Sequence, residues 1–300
     1  MSRGQALVAV IRLLAFQARM LWRHAWRPKM RPARKVQAAA VHVAQVFAFV
    51  HRQYVAASRV PAPPDAGWHG VLLSYRRPHN LDGLVRAMLR CDGCQAVIVS
   101  NNNPQVDLRR WISVTDPRLR IIEQDRRRYP GIRMTVARAA PAPRYLMVDD
   151  DVLLHAEQMQ GLMDLLCAEP EVPHGVNGER RDPARSPYPY RLDQGSDGAA
   201  DHLTNVYAIT DRHLARYFEL TERLGIEDPA DLANGEDIIL SVSGSGRPLV
   251  HDLGPLLRCA STPDRVIATC KSRNRFFEER LAVIDALNGM APAGPPLAAP

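Results

Sequence analysis

Tyr145-Leu146-Met147-Val148-Asp149-Asp150-Asp151-Val152-Leu153-Leu154 is an apolar run broken by three consecutive carboxylates. Side by side, Asp149, Asp150 and Asp151 repel one another, and no apolar core accepts them without compensation. A buried strand that stops at such a cluster points to a site where a divalent cation supplies the missing positive charge. Hard cations such as Mg2+ and Mn2+ prefer carboxylate oxygens and commonly bridge to substrate phosphates. In open α/β sheets the ligand crevice lies beyond the carboxyl ends of the strands, which is where this triplet falls. The plainer alternative is a solvated acidic turn.

Working outward, the flanking sequence alternates strands and helices. Gly70–Tyr75, Ala96–Ser100, Leu119–Glu123 and Tyr145–Val148 are short and apolar, as buried strands are. Leu81–Leu89 carries its apolar residues at helical spacing. This order predicts an α/β chain with a mainly parallel sheet. The strand ends carry Ser74-Tyr75, Ser100-Asn101-Asn102 and the Asp triplet, so polar residues are expected to gather at one edge of the sheet.

A second acidic pair, Glu236-Asp237, stands just before the helical pattern Ile238–Ser243. At a helix start both carboxylates complement the dipole and cap free N–H groups; alternatively, one of them serves a reacting centre. Arg133, Arg180, Arg181, Lys271, Arg273, Arg275 and Arg280 are candidate phosphate contacts, each also readable as a surface charge.

Charge divides the chain unevenly. Eleven Lys or Arg precede the first acidic residue, Asp65, and the rest carries 28 basic against 32 acidic residues. Within Gln5–Arg27, apolar residues at helical spacing are expected on one face and Arg12, Arg19, Arg23 and Arg27 on the other. Arg12 interrupts the run too early for a membrane span of about 20 apolar residues, and no small-residue cleavage site follows. Two readings stay open: a helix lying on an anionic membrane through residues 1–35, and a helix packed on the body. Nucleic acid is not expected as a partner, because no base-reading motif accompanies the charge. Val36–Val55 is a second helical stretch, and Val60–Gly67 reads as a linker.

Ser74-Tyr75-Arg76-Arg77-Pro78, Val99-Ser100-Asn101-Asn102, the Asp triplet and Gly235-Glu236-Asp237-Ile238 stand in the order of the exostosin-like glycosyltransferase domain, which the chain resembles over about Gly70 to Gly254. That resemblance implies a GT-A fold: a Rossmann-like, mainly parallel sheet with helices on both faces. It also implies a retaining transferase that takes a sugar from a nucleoside-diphosphate donor, UDP-linked by expectation, to a glycan or lipid-linked glycan acceptor. Carried over, Asp151 becomes the ligand of Mn2+ (or Mg2+), and Asp149 and Asp150 face ribose and donor sugar. Tyr75, Arg77, Asn101 and Asn102 line the nucleotide pocket. Asp237, with Glu236 beside it, acts near the anomeric carbon, while Arg280 and Arg133 approach the diphosphate. Arg133 stands in for the family's Asn-Arg pair, and Gly235 replaces its usual Cys; both depart from the pattern.

Expected organisation is a helical extension and linker over 1–64, a catalytic domain over 65–288 and a disordered tail over 289–300. Without a visible secretion signal, a cytoplasmic protein with reduced thiols is expected, peripheral at the inner face of the membrane if the extension binds lipid. Cys91-Asp92-Gly93-Cys94 has zinc or redox spacing, with His251 as a remote third ligand, but it reads equally as a helix end and turn. Asp182–Asp201, rich in Pro, Tyr and Gly, is expected to be a long loop. Two other functions stay open. One is a non-catalytic sugar-nucleotide binding protein of the same fold. The other is a Mg2+-dependent haloacid-dehalogenase-type phosphatase, whose Asp-x-Asp motif continues with Thr or Val where this chain has Leu153.

Overall fold

The computed structural model describes residues 3–25, 32–56, 58–268 and 273–290, so the expected tail beyond 290 lies outside the described residues. The chain is mixed α/β and divides into two compact units, Met1–Arg127 with Val148–Gly161 and Gly254–Ser272, and Arg128–Met147 with Leu162–Leu253 and Arg273–Pro300. Two of its five passages between their segments fall at the end of β4 (Arg144–Val148) and within α5 (Ala156–Ala168).

In the first unit, helices α1 (Arg3–Ala25) and α2 (Pro32–Tyr54) precede a βαβ element. Strand β1 (Trp68–Ser74) is followed by α3 (Pro78–Arg90) and β2 (Cys94–Asn101), and β3 (Leu119–Glu123) completes three parallel strands in the order β3-β2-β1. The interiors of β1 and β2 read as continuous apolar runs because both faces are covered: Leu72, Val97, Ile98 and Val99 are inaccessible to solvent. Pro78 opens α3, where its missing N–H costs no helical bond. The register pairs Ser74 with Asn101 and Asn101 with Glu123, so the polar strand ends form one row at the carboxyl edge. A short antiparallel pair, β5 (Val152–Leu153) and β13 (Leu257–Arg258), anchors the segment that follows Leu257 beside the Asp triplet.

Helix α1 differs from its sequence reading. Ala9, Leu13, Phe16 and Met20 are buried, and Phe16 and Met20 cluster with Cys259. Leu7, Val8, Ile11 and Trp22 remain exposed. At 100° per residue, Arg12, Arg19 and Arg23 therefore occupy a strip between two apolar faces and do not form the single opposing face expected. The Val60–Gly67 linker is tied down, since Val60 N donates to Arg90 O and Asp92 N to Val60 O, each at 2.9 Å. Cys91 to Cys94 is the turn joining α3 to β2. A side chain at Gly93 would meet Ala66 O at 2.8 Å. Both thiols are buried, Cys91 facing the Ala156 carbonyl at 3.3 Å and Cys94 pushed up to about 12 by burial. Those are features of a structural turn, in place of the zinc or redox alternative.

The second unit holds α4 (Ile132–Ala139) and strands β4, β6 (His174–Gly175), β9 (Gly198–Ala199), β11 (Val206–Thr210) and β12 (Leu249–Val250), in the order β4-β11-β6-β12-β9. Here β6 pairs antiparallel with β11 and parallel with β12. A separate antiparallel sheet runs β10 (His202–Leu203), β7 (Asn177–Arg181), β8 (Tyr190–Gln194). Asp182–Asp201 is thus not a long loop. It contains β8, whose five residues pair with β7, and β9. The helices are α6 (Asp211–Arg223), capped by Thr210 and His213, then α7 (Glu236–Ser241) and α8 (Phe276–Asn288).

Candidate functional site

In the first unit the Asp triplet meets the ends of β1 and β2. Asp150 Oδ2 accepts from Tyr75 N at 3.4 Å, and the Asp150 carbonyl accepts from Asn80 Nδ2 at 2.6 Å. Asn103 Nδ2 donates to Tyr75 O at 3.0 Å, tying the two strand-end loops together. Compensation for the adjacent carboxylates comes from Arg77. Its Nη1 lies 3.0 Å from Asp150 Oδ1 and its Nη2 3.4 Å from Asp151 Oδ2, while Nε donates to Ser261 Oγ at 2.7 Å. Burial works against the Arg77 charge, but Asp150 and Asp151 outweigh it and raise the pKa. Burial pushes Asp150 up to about 6 against the pull of Arg77, with Asp151 and then Asp149 adding repulsion.

Asp151 is held differently. Cys259 N donates to its carbonyl at 2.8 Å and Thr262 Oγ1 to its Oδ2 at 3.1 Å. Its other oxygen, Oδ1, is buried and has no hydrogen-bond partner. A buried carboxylate oxygen left without a partner is costly unless something positive completes it. The donor set fits a hard cation on that count: the free oxygen belongs to Asp151, and half-exposed Asp149 is adjacent in sequence. Among the described residues no three His, Cys, Asp or Glu side chains converge as a metal cluster. A cation here would therefore need substrate oxygens or water to complete its shell.

Asn101 and Asn102 are placed at the strand end but committed to the protein. Asn101 Nδ2 donates to Glu123 Oε2 and Val106 O, both at 2.6 Å, and its Oδ1 accepts from Asn103 N at 3.1 Å. Asn102 Oδ1 accepts from Ser100 Oγ at 2.8 Å. Tyr75 is more available. Its ring is half-exposed, with the guanidinium carbons of Arg76 and Arg127 at 4.9 and 4.5 Å from its centroid. This aromatic–cation group, and the Ser261-Thr262 support of Arg77 and Asp151, escaped the sequence reading. The Arg126-Arg127-Arg128 run after β3 was the available signal for Arg127. A cavity of about 760 Å3 in this unit is lined by Val8, Arg12, Arg109, Trp111, Ser113 and Ile121 and includes none of the expected site residues.

The second unit holds Arg133, Glu236, Asp237 and Arg280. Arg280 Nη1 donates to both Asp237 oxygens at 2.8 Å, Nη2 to Glu179 Oε2 at 2.8 Å, and Nε to Tyr188 Oη at 2.9 Å. Tyr188 Oη in turn donates to Glu179 Oε2 at 2.6 Å. Burial opposes the Arg280 charge, yet Asp237 and Glu179 raise its pKa well above the usual value. All three guanidinium nitrogens are thus engaged by protein groups. Arg133 is 3% exposed, with Nη2 3.8 Å from Glu236 Oε1 and its guanidinium over the Tyr207 ring. Gly235 has φ +94°, and a Cβ there would meet Val283 at 2.8 Å. An L side chain would be strained at that φ. Glu179 and Tyr188 were also missed, Tyr188 because its segment read as a loop. His251 faces His174, with Nε2 2.8 Å from His174 Nδ1.

No protein-family model and no curated protein sequence matches the chain. Among solved structures, the chain is similar to GalNAc-T7 crystallised with UDP, GalNAc and Mn2+, at 10% identity and TM-score 0.45 over 61% of this chain and 41% of that one. A second similarity, at 12% identity and TM-score 0.38, is to CMP:2-keto-3-deoxy-manno-octonic acid synthetase complexed with CTP. It covers 54% of this chain and 83% of that one. The chain thus spans under half the length of GalNAc-T7.

Proposed function

We propose that the protein is a glycosyltransferase of exostosin-like type that moves a sugar from a nucleoside-diphosphate donor, UDP-linked, to a hydroxyl of a glycan or lipid-linked glycan. One observation carries this reading. Tyr75, at the carboxyl end of a parallel strand, shares hydrogen bonds with Asp150 and Asn103, beside a carboxylate, Asp151, whose buried oxygen is unsatisfied. The guanidinium groups of Arg76 and Arg127, held over the Tyr75 ring, offer positive charge for phosphate. Arg77 holds Asp150 and Asp151 in place and offsets their mutual repulsion.

Asp151 would hold the Mn2+ or Mg2+, which supplies Lewis-acid charge against the departing diphosphate, with Asp149 facing ribose or donor sugar. Asp150, raised towards neutrality by burial, suits a hydrogen bond to a ribose or sugar hydroxyl. Asp237 and Glu236 carry the roles near the anomeric carbon, Asp237 oriented by Arg280 and Arg280 by Tyr188. Transfer with retention follows the family pattern. The chain acts in the cytoplasm, peripheral at the inner face of the membrane.

A panel of nucleoside-diphosphate sugars, assayed for metal-dependent release of nucleoside diphosphate, tests the reading. Binding without turnover would favour the non-catalytic alternative. Release of phosphate from simple phosphomonoesters would favour the phosphatase.

A further inference from the structure

Helix α1 is apolar on nearly its whole circumference, yet only half of it is covered. Leu13 is 1% and Met20 2% exposed, whereas Leu7 is 60%, Ile11 54% and Trp22 69% exposed. Leu7, Ile11 and Trp22 recur at intervals of four and eleven residues, so they share one stripe on the uncovered side. Helix α2 repeats the arrangement. Val46 and Phe49 are buried, while Val36, Val43 and Phe47, spaced by seven and four residues, are exposed. Apolar residues scattered singly over a surface need no explanation, but two periodic stripes on adjoining helices do.

We infer that α1 and α2 form an in-plane membrane-docking surface, whose two outward stripes enter the headgroup–acyl boundary of an anionic bilayer. Charge selects this occupant. Eleven Lys or Arg and no Asp or Glu precede Asp65; Arg23, Arg52 and Arg59 meet Asp264, Glu157 and Asp92 of the body, and the two helices carry no acid of their own to repel anionic headgroups. A second copy of the chain would bring the same cations with no acidic residue on either helix to meet them. Trp22 fits the boundary, where an apolar body and a polar N–H are both accommodated. By length and composition Gly4–Arg23 reaches the level of a membrane span, with mean hydropathy 1.3. Its covered side argues for lying in the plane instead. Gln17 is buried there, accepting from Ala260 N at 2.9 Å, and a spanning helix would strip that face from the unit. The docking rests on the peripheral-membrane part of the function proposed above and is independent of the sugar-transfer part.

The test uses the full chain, co-sedimented with vesicles of phosphatidylcholine alone or mixed with phosphatidylglycerol. The comparison is a triple variant, Ile11→Ser, Trp22→Ser and Phe47→Ser, all at exposed positions, with circular dichroism and nucleotide release recorded alongside. The expected result is binding to the anionic vesicles only, weakened by salt and reduced about tenfold or more in the triple variant. Helix content and nucleotide release in solution should stay unchanged. Equal binding by the triple variant, or no binding of the native chain to anionic vesicles, overturns the proposal. So does a concentration-dependent dimer that the triple variant abolishes, since a second copy would then be the occupant. Nucleotide release separates this outcome from failure of the sugar-transfer reading.

Discussion

Arg77 Nη1 stands 3.0 Å from Asp150 Oδ1, and both side chains are about nine-tenths buried. The same guanidinium reaches Asp151, so one cation offsets two neighbouring carboxylates. Removing one partner of a buried pair leaves its counterpart uncompensated, which typically costs about 3–5 kcal/mol. Arg77→Gln is therefore expected to lose stability on that scale, measured by urea unfolding. Without Arg77 the Asp150 pKa rises above its native value of about 6, so the variant takes up its proton first and the deficit should shrink as pH falls towards 6. A variant as stable as the native chain would show that the triplet needs no guanidinium.

His79 predicts the opposite dependence. Its ring stacks on Phe16 with centroids 3.4 Å apart, and burial, helped by Arg77 and Arg19, lowers its pKa to about 3. The folded value lies below the unfolded one, so the neutral ring's contribution is complete above about pH 6.5 and is lost as pH falls towards 3. At about pH 4.5 the native chain should have lost roughly 2–3 kcal/mol from this group. His79→Phe, which keeps the stacking and carries no proton, should flatten that part of the profile. Parallel urea midpoints for the two chains would decide the matter.

Gly131 offers a steric test. A Cβ at that position would sit 2.0 Å from the backbone oxygen of Pro229, within the second unit. Backbone cannot step aside as a flexible side chain can, so Gly131→Ala should cost about 3 kcal/mol or prevent folding. Gly246→Ala, whose Cβ would find its nearest neighbour at 3.5 Å, should change little. Thermal melting of the pair gives the contrast.

Tyr188 links Arg280 to Glu179 by two hydrogen bonds. Tyr188→Phe leaves both partners short of one bond in a buried setting, with an expected stability loss of about 1–3 kcal/mol. If Arg280 orients Asp237 for catalysis, kcat should fall while KM for the donor stays close to native. A pure KM effect would assign the cluster to substrate binding.

The strands and their polar ends were legible because their information is local. Leu119–Glu123 is the same in sequence reading and structure, and β1, β2 and β4 differ by one or two residues at their ends. What escaped was decided by partners far along the chain. The triplet's charge was assigned to a metal, yet Arg77, more than seventy residues earlier, supplies compensation for Asp150 and Asp151. Thr262 reaches Asp151 because β13 pairs with β5, and two-residue strands carry no periodicity to read. Similarly, β8 was hidden by Pro187, Pro189 and Gly195 around it, although cross-strand pairing with β7 is enough to order it. Asn101 was read as a nucleotide ligand through the family resemblance; its hydrogen bonds to Glu123 and Val106 show that the same position also closes a loop.

Asp151 Oδ1 is the atom on which the account turns. The most direct measurement is the rate of nucleoside diphosphate release from the preferred sugar nucleotide, with Mn2+ titrated, for the native chain and Asp151→Asn. Saturable activation by Mn2+, abolition by a chelator, and a loss of about a hundredfold or more in Asp151→Asn at unchanged fold are expected. Turnover that persists both in chelator and in Asp151→Asn would contradict this.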